Sequence, residues 1–304
     1  MKLSFSALFT AAATAGLFTL SSMVKAAAIP AAGHSPVAVA TLPTHSFEKR
    51  SIAGINNFNC KLTPKHPRPL LLVHATLLTM DSWWTFAPHL IKEGYCVFAL
   101  TYGRYDNIPF VGGIAPVADA AQEVATFGEQ VLQKMNATEL DYVGHSQGGI
   151  LGRYWAKYLG GANKINRLVG ISPINHGTTL SGITTIAQAL KIFAPAEPIF
   201  DSFAPSFYDL VDTSPFIAKL NAGGDTIPGV IHSNIATKYD EVVTPYKTAF
   251  QNGATNTVLQ DLCMLSINEH LTIINSFVVL RWVMNQLDPV NAKSASCLSL
   301  LSFA

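Results

Sequence analysis

The feature that most constrains this chain is a short apolar segment that runs directly into Gly144-His145-Ser146-Gln147-Gly148. Residues 140–143 have the pattern of a buried strand, and residues 150–159 have that of an amphipathic helix. A serine between two glycines at this spacing fits a tight strand-to-helix turn, because the glycines leave room that side chains would fill. The segment therefore predicts a nucleophile, Ser146, raised above the end of a strand.

Strand and helix patterns alternate around this turn. Strand patterns lie at 69–74, 95–100, 140–143, 165–171 and 230–237, with a short one at 257–260. Helix patterns lie at 81–91, where Asp81 or Ser82 is the expected cap, and at 117–135, 150–159 and 271–287. This alternation predicts an α/β fold, with a mostly parallel central sheet and helices on both faces. Residues 177–228 interrupt it with short apolar runs divided by prolines, which predicts a small helical cap inserted over the site.

Length and charge narrow the class of protein. A chain of 304 residues suits one α/β domain with an inserted segment and is short for two full domains. The formal net charge is +1 and no basic cluster appears, so the composition gives no case for nucleic-acid binding. A content of only 13% charged residues is compatible with work against an apolar phase, and equally with a well-buried core.

The amino end has the pattern of a targeting segment. Residues 1–28 predict a secretory signal peptide, because Lys2 precedes the uncharged run 3–24 and small residues follow at 26–28. An uncleaved membrane anchor is the alternative, and no later stretch is a convincing membrane span. Residues 29–50 end in a dibasic pair and predict either a pro-segment, with a mature terminus at Ser51, or a disordered amino end. The mature domain then covers 51–304.

Two further patterns belong to a secreted chain. Four cysteines allow three pairings, and free buried thiols are the alternative to disulfides. We predict Cys60–Cys96 and Cys263–Cys297, because each closes a loop of about 35 residues between elements expected to be neighbours, which stabilises the fold in the chain-entropy model. Asn136-Ala137-Thr138 is a glycosylation sequon, usable in a eukaryotic secretory route.

A serine nucleophile needs a base, and the base needs an acid that orients it. In folds with this turn the chain order is Ser, then Asp or Glu, then His. Of the three histidines after Ser146, His176 precedes any acid at a later strand end and His232 sits inside a strand pattern. His270 opens onto the last helix pattern and is the predicted base.

Asp240 is the predicted acid, because it follows the strand pattern 230–237, where catalytic groups gather in such sheets. Glu241 would replace it only if the loop turns, and Asp261 and Glu269 are expected to be solvated. The tetrahedral oxyanion also needs donors. They are predicted at the backbone N–H of Gln147 and at Thr76, in the loop after the first strand, where the Thr76 hydroxyl adds a further donor.

Several segments together resemble the secreted α/β-hydrolase lipases, the family of Candida antarctica lipase B and related bacterial triacylglycerol lipases. They are 72–74, 94–100, 144–149, 240–245 and 269–270, and the resemblance covers about residues 60–290. It implies an α/β-hydrolase fold with little or no lid. It also implies an enzyme that hydrolyses acylglycerol esters without a metal or cofactor. It implies the same roles for Ser146, Asp240, His270, Thr76 and Gln147, and it supports both disulfide pairings. The resemblance departs at His74-Ala75, where many lipases have His-Gly.

The expected function is therefore that of a secreted, monomeric serine ester hydrolase, most simply a lipase acting on a lipid or ester substrate at an oil–water interface. The acyl site is expected among apolar residues of 177–228 together with Phe110, Ile114 and Ile199. A carboxylesterase or polyester hydrolase is the second reading. A non-catalytic lipid-binding member of the fold is the third, and the presence of all three triad residue types in order disfavours it.

Overall fold

A computed structural model describes residues 52–105, 110–179, 181–185 and 206–303. In that part of the chain, six strands form one sheet in the order β2-β1-β3-β4-β5-β6, and every neighbouring pair is parallel. The strands are β1 Leu70–Val73, β2 Val97–Leu100, β3 Leu140–His145, β4 Ile165–Ile171, β5 Ile231–Ala236 and β6 Thr255–Val258. Their carboxyl ends share one edge of the sheet, which positions the loops of the site.

Helices cover both faces of this sheet. They are α1 Phe86–Lys92, α2 Val117–Met135, α3 Gln147–Tyr158, α4 Pro215–Asn221, α5 Leu259–Leu262 and α6 Phe277–Leu287. Alternate residues of β1 point to opposite faces. Leu71 and Val73 pack in one core with α2 and α3, whereas Leu70 and Leu72 pack in a second core with α1 and α6. The predicted fold class is confirmed, and a strand such as β1, buried on both faces, explains the unbroken apolar run in the sequence.

The helix predicted from Asp81 or Ser82 onwards is wrong in its first half. Thr79 caps a 3-10 helix at Met80–Trp84, and α1 begins afresh at Phe86. Pro88 accounts for the break, because a continuous α-helix would need a proline N–H to bond back to residue 84. In the first turn of a new helix no such N–H is required, so Pro88 is tolerated there.

The helix predicted for 271–287 is shorter than expected. A 3-10 helix, Ile273–Asn275, comes first, and α6 begins at Phe277 after an extended Ser276. Asn and Ser favour helix ends over helix interiors, because their side chains bond to nearby backbone. The Leu271 and Thr272 N–H groups bond to the Glu269 side chain, so this segment is held as a loop rather than as a helical turn.

Two disulfides, Cys60–Cys96 and Cys263–Cys297, join the cysteines in the expected pairs. The first ties the segment before β1 to the residue before β2. The second ties the end of α5 to a 3-10 helix, Cys297–Ser302, that packs against α6. Each fixes a loop to the sheet's supporting helices or strands.

Several sequence predictions fall on other parts of the chain. The signal peptide 1–28, the possible pro-segment 29–50, Ser51 and most of the central stretch of the predicted cap lie outside the described residues. Within 177–228, residues 181–185 and 206–210 are helical and α4 follows. Asn136 ends α2 in a left-handed conformation and is exposed. Among the helices described, none is long and apolar enough to cross a membrane.

Candidate active site

The turn after β3 places Ser146 at the start of α3 with a strained backbone. Its φ of 55° and ψ of −121° lie outside the regions that side chains favour. A Cβ on Gly144 would come within 2.4 Å of the Gly148 carbonyl oxygen, and one on Gly148 within 2.3 Å of the Val73 oxygen. The two glycines are therefore required by close backbone contacts. The Ser146 N–H donates to Ile171 O at the end of β4, which fixes the turn to the sheet.

The loops after β5 and before α6 bring Asp240 and His270 together. His270 Nδ1 lies 2.9 Å from Asp240 Oδ1 and 3.0 Å from Oδ2, and both side chains are buried. Asp240 Oδ1 also accepts the N–H groups of Val242 and Val243, at 3.1 and 2.7 Å. The carboxylate is thus anchored by backbone donors while it faces the imidazole, an arrangement that favours a protonated Nδ1 and leaves Nε2 free to accept a proton.

The electrostatic surroundings of His270 favour its charged form. Burial alone would lower its pKa, but the charge and hydrogen bond of Asp240 outweigh burial, and Glu241 and Glu269 add to the effect, so the pKa of His270 is raised. An imidazole next to a fixed carboxylate can therefore take a proton and hold it as an imidazolium.

Ser146 and His270 line one apolar cleft. Its other described lining residues come from the loop after β1 and from the loops that carry the acid and the base: Ala75, Thr76, Leu77, Leu78, Thr185, Glu241, Val242 and Leu271. Neither Phe110 nor Ile114, both expected at the acyl site, is among these residues. Ile114 is fully buried in the core, and Phe110 is exposed. Ile199 lies outside the described residues.

The loop after β1 runs along this cleft. The Thr76 hydroxyl is buried and has no hydrogen-bond partner among the described residues, although Thr76 lines the cleft. The left-handed backbone of this loop falls on Leu77, with φ of 66°, and not on Ala75. The Cβ at position 75, where many lipases have glycine, is therefore accommodated without strain.

A buried hydrogen-bond network joins this loop to the residue after Ser146. The Tyr102 hydroxyl lies 2.9 Å from His74 O and 2.8 Å from Gln147 Oε1. Gln147 Nε2 donates to Ser206 Oγ at 3.3 Å. Burial lowers the pKa of His74 to about 4, so this imidazole is neutral. The side chain of Gln147 is held away from the cleft, while its backbone N–H, at the first position of α3, has no partner within the helix.

Comparison with known proteins places this geometry in a family. A model of the lipase (class 2) family matches residues 67–283, which include the whole sheet, the serine turn and the Asp240–His270 pair. The chain belongs to the class 2 lipases. The resemblance to α/β-hydrolase lipases is confirmed, and the family identifies the chain as a carboxylic ester hydrolase. None of the curated protein sequences matches the chain.

Solved structures agree on the fold of this class 2 lipase. The Aspergillus fumigatus lipase B structure is 17% identical with a TM-score of 0.55, over 78% of this chain and 60% of that one. The mature Bacillus licheniformis lipase BlEst2 is 16% identical with a TM-score of 0.55, over 75% of this chain and 94% of that one. At this identity the likeness concerns the fold alone.

The other histidines and carboxylates that were weighed as the base or the acid make different contacts. His176 pairs with Asp225 at 3.1 Å, and buried His232 accepts the Ile227 N–H. Asp261 is exposed beside Lys238, whereas Glu269 lies next to the base and bonds to backbone. No cluster of three or more His, Cys, Asp and Glu suited to a metal occurs among the described residues.

Two side chains beside the base have contacts that were not expected from the sequence, where Glu241 was weighed only as an alternative acid and His145 was given no role. Glu241 Oε2 accepts the His270 N–H at 3.2 Å, and His145 Nε2 lies 2.9 Å from His270 O. The position of His145 inside the Gly-x-Ser-x-Gly turn was a signal that it lies near the nucleophile. Nothing in the sequence indicated that either side chain contacts the main chain of residue 270.

Proposed function

We propose that this chain is a secreted serine ester hydrolase of the lipase type, which cleaves acylglycerol esters with Ser146, His270 and Asp240. The observation that carries the proposal is the 2.9 Å contact between His270 Nδ1 and Asp240, with the base in the same cleft as a serine on a strained turn. These three groups supply a nucleophile, a general base and an orienting acid.

The reaction proceeds in two steps, acylation of Ser146 and hydrolysis of the acyl-enzyme. Ser146 Oγ attacks the ester carbonyl carbon while His270 Nε2 takes the hydroxyl proton, and the collapse of the tetrahedral intermediate breaks the bond to the alcohol oxygen. His270 returns the proton to that departing oxygen, which leaves an acyl group on Ser146. Water then attacks this ester by the same proton route and releases the carboxylic acid. Asp240 holds the imidazolium in both steps.

Two groups are the proposed donors for the intermediate's oxyanion. The Gln147 N–H lies at the start of α3, where the helix dipole favours negative charge. Thr76 lines the cleft, and its buried hydroxyl has no hydrogen-bond partner among the described residues. A buried hydroxyl without a partner costs free energy unless a ligand satisfies it, which supports a role for Thr76 toward the oxyanion.

Covalent labelling tests this mechanism together with its rivals. An alkyl p-nitrophenyl phosphonate is expected to modify Ser146 alone, identified by peptide mass spectrometry, and to abolish turnover in proportion to labelling. Folded protein that leaves Ser146 unlabelled would favour the non-catalytic, lipid-binding reading. On the unmodified enzyme, a series of p-nitrophenyl butyrate, octanoate and palmitate, followed by trioctanoin emulsion, separates a lipase from a carboxylesterase or polyester hydrolase.

An exposed apolar surface beside the cleft supports action at an oil–water interface. Seven of the 14 large hydrophobic side chains exposed in the described residues lie in two short segments: Met264, Leu265, Ile267, Leu271, Leu298, Leu300 and Leu301. The Cys263–Cys297 disulfide joins these segments, and Glu269 is the one carboxylate within 263–271 and 297–303. Leu271 also lines the cleft. We call this surface the apolar rim, and its chemistry suits a neutral lipid phase.

Replacing Leu265 and Ile267 together with serine is expected to weaken adsorption to a triacylglycerol emulsion about tenfold, since each apolar side chain contributes about 1.5–3 kcal/mol when fully buried and only part of it is immersed. Turnover of soluble p-nitrophenyl acetate is expected to stay unchanged. Val290→Ser, at a side chain that is 91% exposed but lies outside the rim, is the matched control. If the double variant adsorbed as well as Val290→Ser, the apolar rim would not be the surface that binds the lipid phase.

Secretion is supported by the predicted signal peptide at 1–28 and by the two disulfides, which persist in oxidising compartments. Sequencing of the amino terminus of the secreted protein checks both processing steps. A terminus at residue 27 or 29 would indicate signal cleavage alone, whereas Ser51 would indicate removal of the pro-segment as well.

A further inference from the structure

The main chain of His270 is held at both its N–H group and its carbonyl group, in addition to the contact of its ring with Asp240. Its N–H donates to Glu241 Oε2 at 3.2 Å, and its carbonyl oxygen lies 2.9 Å from His145 Nε2. Two side chains from the loop after β5 and one from the last residue of β3 thus fix one residue. The main chain of the base is positioned independently of its imidazole.

His145 provides the donor on the carbonyl side. It is fully buried, and burial, followed by the nearby charge of His270, holds the pKa of His145 well below its usual range. The imidazole is therefore neutral, and the carbonyl oxygen of His270 requires the proton to reside on Nε2. His145 Nδ1 has no partner among the described residues, so its one hydrogen bond to protein is the bond to the base.

Glu241 provides the acceptor on the N–H side, and a second carboxyl group lies against it. Glu269 accepts the next two N–H groups, Leu271 at 2.7 Å and Thr272 at 3.1 Å. The two carboxyl groups lie close enough for each to affect the pKa of the other. Two carboxyl groups therefore hold three successive N–H groups of the loop that carries the base.

The carboxyl groups around this loop differ in how readily they take up a proton. Burial and then the Glu269 charge raise the pKa of Glu241, although two backbone N–H groups oppose them. For Glu269, burial is outweighed by hydrogen bonds from Thr272 and Leu271, and its pKa is lowered. On acidification Glu241 therefore takes up a proton before Glu269. Asp240, Glu241 and Glu269 are the acidic groups that act on His270, and His145 is the neutral one.

We propose that Glu241 is a positioning residue for the base: its carboxyl group holds the His270 main-chain N–H, opposite the His145 contact, while Asp240 orients the ring. The inference rests on the proposed role of His270 as the base. It assigns to the residue after the acid a separate function, which the acid cannot supply because, among the described residues, Asp240 bonds only the ring of His270 and its own loop.

Two variants separate the effect of the hydrogen bond between Glu241 and the His270 N–H from the effect of the Glu241 charge. Glu241→Gln keeps an oxygen that accepts the His270 N–H but removes the charge, whereas Glu241→Leu removes both. The Leu variant is expected to lose about 10-fold to 100-fold in kcat, the range for a hydrogen bond to a charged group. The Gln variant is expected to restore kcat to near the wild-type value.

The pH profile provides a readout that a merely structural role would leave unchanged. Activity requires neutral His270, so the acid limb of kcat/KM follows the raised pKa of this imidazole. Since the Glu241 charge contributes to that increase, its removal in Glu241→Gln lowers the pKa of His270, and the acid limb is expected to move to lower pH. Asp261→Asn, which removes an exposed carboxylate paired with Lys238, is the matched control and is expected to leave the limb in place.

An NMR titration of the His270 ring in wild type and Glu241→Gln measures the same shift without substrate. A failure of the ester-hydrolase proposal would leave this titration interpretable, so the two failures are distinguishable. The inference is overturned if Glu241→Leu retains wild-type kcat, if Glu241→Gln does not restore it, or if the His270 titration is the same in wild type and Glu241→Gln.

Discussion

Ser146→Ala is expected to lower kcat/KM for p-nitrophenyl butyrate on the order of 10⁶-fold, the loss found when the nucleophile of other serine hydrolases is removed. The alanine keeps the Cβ, so the backbone of the turn, with φ of 55°, and its packing are retained. The remaining rate comes from the oxyanion donors and substrate binding alone. Undiminished turnover in this variant would end the proposal that Ser146 is the nucleophile.

A second substitution at the same position separates loss of chemistry from loss of structure. Ser146→Gly is expected to be as inactive as Ser146→Ala, but more stable by about 1–3 kcal/mol, because glycine adopts this backbone conformation without the cost that a side chain carries there. Thermal unfolding of both variants measures the difference. Equal melting temperatures would mean that the turn stores no strain, while the kinetic result would stand by itself.

Local rules were sufficient for much of this fold. The turn at Ser146 could be predicted because its glycine requirement is local, and the structure shows the close contacts at Gly144 and Gly148. Strands buried on both faces gave clear apolar runs, so the parallel sheet followed from pattern alone. The helix at 117–135 was predicted with the bounds of α2, because its apolar stripe is long and ends at Asn136.

Other features depend on tertiary contacts that no local pattern records. The contact between Glu241 and the His270 N–H joins residues 29 positions apart, and two loops must first be placed by the sheet before it can form. The helix predicted from 271 failed for a local reason instead, because Glu269 binds the N–H groups two and three residues further along the chain. By contrast, the break at Pro88 was within reach of the sequence, since the proline alone excludes a continuous helix.

Asp240→Asn is expected to lower kcat about 10⁴-fold, the effect of the same change in another serine hydrolase triad. Val242 and Val243 donate to Oδ1, so the amide of asparagine must place its oxygen there and its NH₂ group toward His270. That group donates to Nδ1, which forces the ring proton onto Nε2. In this tautomer Nε2 has no lone pair to accept the Ser146 proton, so kcat falls while the geometry persists.

The chain offers a second Asp–His pair as a control for this experiment. Asp225 lies 3.1 Å from His176 Nε2, away from the cleft, and its Oδ2 accepts the Asn252 N–H. Asp225→Asn therefore disturbs a similar pair without touching the proposed base, and its kcat is expected to stay within about twofold of wild type, since neither Asp225 nor His176 lines the cleft. A loss of less than tenfold in Asp240→Asn, with a melting temperature matching that of Asp225→Asn, would remove Asp240 from the triad. Because a carboxylate at Nδ1 is needed to keep Nε2 unprotonated, the acid would then be one of the two other carboxyl groups beside His270, Glu241 or Glu269.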